Sequence, residues 1–172
     1  MDPTLEPVLR EIERHVAEQG WDQPPRLFAL APTRELVERE PGLAATMGLD
    51  PDSSRWTPIE QDPLDPTRPL DEALGAITWP DDVAGAALVL ERLVLPPSAE
   101  SSLPEGGSAD DVVSAAATHP SRQEVRMAVV AVREGGRLCA LRLRTHDDAA
   151  AVVVGADLVP RLADAVAATL TD

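Results

Sequence analysis

A chain of 172 residues with 44% hydrophobic and 26% charged side chains fits one globular domain, large enough to take about 70% of its unfolded surface out of water without metals or disulfides. The net charge of −15 repels phosphate backbones and no arginine cluster is large enough to reverse that field locally, which argues against nucleic acid as a partner. Lysine, tyrosine and asparagine are absent and there are one cysteine and three histidines, so much of the usual catalytic inventory is missing.

The amino terminus, Met1-Asp2-Pro3-Thr4-Leu5-Glu6, lacks the basic start and apolar stretch of a signal peptide. The longest apolar run, Val83 to Leu90, falls far short of the roughly 20 residues of a bilayer span. A cytoplasmic protein without membrane insertion is expected.

Leu5, Val8, Leu9, Ile12 and Val16 recur with the period of an amphipathic helix, which Thr4 can cap and Gly20 can end. Arg26 to Ala31 predicts a short strand closed by Pro32. In the proline-rich stretch that follows, a short helix is predicted over Arg34 to Glu40 and a strand over Trp56 to Gln61. A helical turn is predicted from Pro69 to Ala76 and a second strand from Gly85 to Leu95. The chain reads as a single domain over residues 1–172, with the proline-rich segment 41–69 and a small, acidic loop over 98–123 inserted in it.

Val125 to Arg144 predicts a β-hairpin, because two strand-like runs flank Gly135-Gly136, which accepts the positive φ of a tight turn. With those glycines as a two-residue loop, Val132 faces Cys139, Val130 faces Leu141 and Ala128 faces Leu143 on an apolar side. The other side then pairs Val129 with Arg142 and Met127 with Arg144. A last strand is predicted over Ala150 to Val154, and a helix capped by Asp157 whose stripe is Leu158, Leu162, Val166 and Leu170. These elements predict an α+β fold: an antiparallel sheet of about five strands with the N- and C-terminal helices packed on it.

Few residues carry chemistry. His119, His146, Asp147 and Asp148 are the one grouping that could offer nitrogen and carboxylate ligands to a metal, as in a metal-dependent hydrolase, but no histidine pair has helical zinc-site spacing and ordinary turn residues explain them better. Cys139 falls on the apolar side of the hairpin, where a thiol is inert. No serine lies in a nucleophile-elbow context, and Gly106-Gly107-Ser108 lacks the strand and lysine of a phosphate loop. No cofactor is expected. Glu91 and Arg92 interrupt an apolar strand, so Glu91 is expected to meet an arginine of the hairpin: Arg126, Arg142 or Arg144.

The segments Arg26 to Leu30, Trp56 to Gln61, Trp79 through Pro96 and Arg142-Leu143-Arg144 resemble an uncharacterised family of small actinobacterial proteins. The order of helix, antiparallel sheet and helix is also similar to that of small acidic secretion chaperones, a likeness of fold alone. The expectation is a non-catalytic cytoplasmic adaptor or chaperone-like protein, with a small-ligand binding module as another alternative to the hydrolase. It would bind a protein partner or itself, as a homodimer, through a surface holding Trp79, Met127, Arg142 and Arg144.

Overall fold

A computed structural model of the chain describes residues 4–50, 52, 55–62, 64, 65, 67–94 and 123–171. Helix α1, Leu5–Ala17, follows from its apolar stripe: Leu5, Val8, Leu9, Ile12 and Val16 are each 1% exposed or less. The Thr4 hydroxyl, expected to cap α1, instead accepts the Trp56 indole N–H at 3.1 Å. Strand β1 (Arg26–Pro32) leads into α2 (Thr33–Arg39) and a further helix that the sequence reading left out, α3 (Pro41–Met47). Pro41 stands in the first turn of α3, where no amide hydrogen is needed, and Gly48 closes it at φ 68°. Then come β2 (Trp56–Glu60), α4 (Leu70–Gly75), β3 (Gly85–Val94), β4 (Gln123–Val132), β5 (Arg137–Leu143), β6 (Val153–Gly155) and α5 (Pro160–Ala168).

The fold is α+β. Six strands form one antiparallel sheet in the order β2-β1-β3-β4-β5-β6, one more than the five or so expected. Its outer strands are short: β2 has five residues with Pro58 among them, and β6 has three. β6 starts late because residues 149–151 form a 3₁₀ turn, where the Asp148 carboxylate accepts the Ala150 amide. Helix α5 begins at Pro160, three residues beyond Asp157.

The hairpin register differs from the one expected. Val132 N–H donates to Gly136 at 3.0 Å, and Gly135 adopts φ 103°, so Arg133-Glu134-Gly135 is a three-residue loop with glycine in its left-handed position. Val129 therefore faces Cys139, Met127 faces Leu141 and Arg126 faces Arg142. The slip from Gly135-Gly136 is odd, so it exchanges the faces of β4 relative to β5 and sends Arg142 to the side of Arg126, away from Val129 and Met127.

Both faces of the sheet are apolar, and the terminal helices cover opposite ones. α1 lies over Phe28, Leu30, Val89, Val130 and Leu138. α5 contributes Ala163 and Val166 to a second core with Leu27, Leu88, Val129 and Cys139. A sheet with two apolar faces needs a layer on each, which is why the helices separate.

Candidate functional site

Antiparallel pairing sets Leu90 opposite Met127, and the next pair along, Glu91 opposite Arg126, points to the other face. Near this end of the sheet the two faces carry different chemistry.

On the α1 face Arg126 is 1% exposed. Its Nη2 donates to the Gly20 carbonyl and, at 3.4 Å, to Glu91, which also accepts the amides of Asp22 and Gln23 at 2.8 and 3.2 Å. Nε and Nη1 of Arg126 have no hydrogen-bond partner among the described residues, while the Trp21 ring lies over the guanidinium at 4.3 Å. Beside it Arg142 makes a bidentate pair with Glu13, at 2.7 and 2.6 Å, and both side chains are 6% exposed. Arg142 also donates to Asp147 at 2.9 Å, and the Trp21 indole donates to the same carboxylate at 3.1 Å. The indole N–H and then Arg142 hold the Asp147 carboxyl below its usual range, and the Glu13 carboxylate raises the Arg142 guanidinium further. Arg144 reaches Asp22 at 3.0 Å and Glu124 at 2.6 Å, and Asp22 adopts φ 66°, a left-handed conformation that aspartate takes more readily than most side chains. Each of these carboxylates accepts from a protein donor, so the group fastens residues 20–23 and α1 to the sheet rather than waiting for a substrate proton.

On the α5 face the same end is a groove of about 410 Å3 floored by Leu90, Met127, Val159 and Leu162, with Arg92 and Arg161 on its rim. α5 is short, and its buried side chains, Ala163 and Val166, cover the sheet deeper in. Among the described residues neither rim arginine makes an ion pair, and Arg92 donates only to the Glu91 carbonyl, at 3.3 Å.

Two other hollows differ in character. The larger, about 640 Å3, runs beside α1 and is lined by Glu11, His15, Glu18, Phe28 and Glu60. His15, which the sequence reading left unweighed, packs edge-on against Phe28 and lies 3.4 Å from the Glu60 carboxylate, which also takes Arg26. The second, about 510 Å3, lies between α4 and the end of α5 and includes Trp79, Ile77 and Leu170.

The four residues expected to share a surface fall into three places. Arg142 and Arg144 join the Trp21 group on the α1 face, whereas Trp79 and Met127 lie on the α5 side in separate hollows. Trp79 is 9% exposed and donates to Thr169 at 2.9 Å. His119 and the side chain of His146 lie outside the described residues; Asp147 is held by Trp21 and Arg142, and Asp148 by its own turn. Among the described residues no three of His, Cys, Asp and Glu gather closely enough to hold a metal ion. Cys139 is 0% exposed, its Sγ 3.7 Å from the Ala156 carbonyl, and burial raises its thiol pKa. Glu91 meets Arg126, one of the three arginines expected for it. The sequence reading missed Glu13 as the partner of Arg142, and Arg161 with Leu162 as parts of a groove. The heptad distance from Val159 to Val166, with Leu162 between them, was the available signal for the latter.

No helix among the described residues is long and apolar enough to cross a membrane. A family model described as PPA1309-like protein matches residues 5–171, which agrees with the resemblance to an uncharacterised family. No curated protein and no solved structure matches the chain.

Proposed function

The chain belongs to the PPA1309-like protein family, and we propose that it works as a non-catalytic adaptor or chaperone-like protein in an actinobacterial cytoplasm, holding another protein. One observation carries this reading: the groove beside the buried Leu90 leaves Met127 and Leu162 only partly covered, next to two arginines in a strongly acidic chain. Methionine and arginine are enriched at association surfaces, while other charged residues are depleted there. Apolar side chains supply the driving force, and a half-buried methionine adapts to partners of different shape. The internally paired carboxylates of the Trp21 group support the non-catalytic part of the reading, since they serve the fold.

The test is a photo-activated cross-linking residue in place of Met127, expressed in the native host. A reproducible adduct with a defined protein, lost when Leu162→Glu is added, is the expected result. Adducts unchanged by Leu162→Glu would overturn the reading. Light scattering on the purified chain separates self-association, which would appear as a doubled mass abolished by the same substitution.

A further inference from the structure

Resting on that reading, we infer that the groove between β3–β4 and α5 takes a partner segment in which large apolar side chains are flanked by carboxylates. The floor and the rim each restrict the occupant. Leu90, Met127 and Leu162 offer no hydrogen-bonding groups on their side chains, so what they cover must be apolar. Arg92 and Arg161 are exposed at the rim and form no ion pair with described residues, although the chain carries 30 acidic side chains against 15 basic ones. In such a chain two guanidiniums that border an apolar floor and pair with no carboxylate among the described residues make a local reversal of the protein's charge. It attracts carboxylates and repels basic segments. Arginine's planar fork also suits a carboxylate better than a point charge would.

The opposite face of the sheet is the control. There Arg126, Arg142 and Arg144 each meet an acid of the chain itself. Among the described residues the rim arginines of the groove meet none.

The experiment uses the full chain and two fluorescein-labelled ten-residue peptides of identical apolar residues, centred on a Leu-Phe pair, one flanked by glutamates and the other by lysines. Fluorescence anisotropy should show binding of the acidic peptide, weakening as salt is raised. Arg92→Glu with Arg161→Glu should cost about tenfold in affinity for it, the sum of two exposed ion pairs, and should confer binding of the lysine peptide. Met127→Glu should abolish binding of both, and circular dichroism would establish that it folds.

Equal affinity for the two peptides would overturn the acidic preference while leaving the protein-binding reading intact. So would binding of neither peptide when the Met127 cross-link to a partner persists. Absence of both peptide binding and cross-link would overturn the two readings together. A large gain in affinity when Glu100, Glu105, Asp110 and Asp111 are made neutral would make the chain's own acidic segment the occupant, and a mass doubled in a Met127-dependent way would make it a second copy. Either outcome removes the separate partner.

Discussion

Glu91 and Arg126 on one face, and Leu90 and Met127 on the other, are adjacent pairs on the same two strands, yet they meet opposite solutions to burial. On the α1 face the buried arginines are covered by residues 20–23, and nearly every charge is matched within the chain. On the α5 face the side chains need no partners: Leu90 is buried, while Met127 and Leu162, beside the start of α5, are only partly covered at the groove. Charge forces closure, because an unpaired buried ion costs several kcal/mol. Apolar surface can stay open at about 25 cal/mol per Å2, a cost small enough to be retained for binding.

The largest expected effect is on the closed face. Glu13→Ala leaves Arg142 buried with Asp147 alone, and chemical denaturation should show a loss of about 3 to 5 kcal/mol. Replacing both partners, with Glu13→Leu and Arg142→Met together, should recover most of it; failure to recover would mean that the pair contributes more than its own neutralisation.

Next comes an asymmetry within the neighbouring pair. Glu91→Ala strands the Arg126 guanidinium and the amides of Asp22 and Gln23, for a loss of about 3 kcal/mol. Arg126→Met gives up the Nη2 bonds to Gly20 and Glu91 but also removes two nitrogens without a partner among the described residues, and it leaves Glu91 its amides, so denaturation should find it clearly less harmful. Equal losses would contradict this account of Arg126.

On the open face Met127→Glu should change stability by about 1 kcal/mol or less, since the side chain is only partly covered and the rim is basic. A loss as large as that of Glu13→Ala would mean that the groove is closed in solution and would dissolve the contrast between the faces.

The smallest effect is the acid titration of Asp147. Its folded pKa is depressed, so its contribution to stability is full above the unfolded carboxyl value and is lost as pH falls through the folded one. The Trp21 indole N–H resonance should thus hold constant from pH 8 to 5 and shift only below about pH 4. Asp147→Asn should remove that transition; a shift near neutral pH would assign the indole to another acceptor.

Much of the fold was legible because period and punctuation agree. The α1 stripe, the Gly85 strand and the helix containing Val166 all follow from side-chain alternation, and their boundaries lie within a few residues of those observed. The hairpin register was not legible, since Gly135-Gly136 suits either a two- or a three-residue loop. What decides is distant in sequence: the Arg133 backbone amide reaches Ala84, and its side chain donates to the carbonyls of Val83, Pro80 and Leu170, holding Arg133 in the loop. That one choice reassigns Arg142, and with it the membership of the expected surface. Of that surface Met127 alone lines the groove. Its companions there come from β3 and from the start of α5, elements far apart in the sequence.

The short outer strands limit how this sheet can be used. Pro58 withholds an amide hydrogen on one edge, and three residues at the other give a stranger little backbone to pair with, so the sheet resists growth by strand addition. Main-chain pairing accepts almost any extended sequence. Capture through side chains does not, so a partner of this protein is selected by what it displays rather than by its readiness to become a seventh strand.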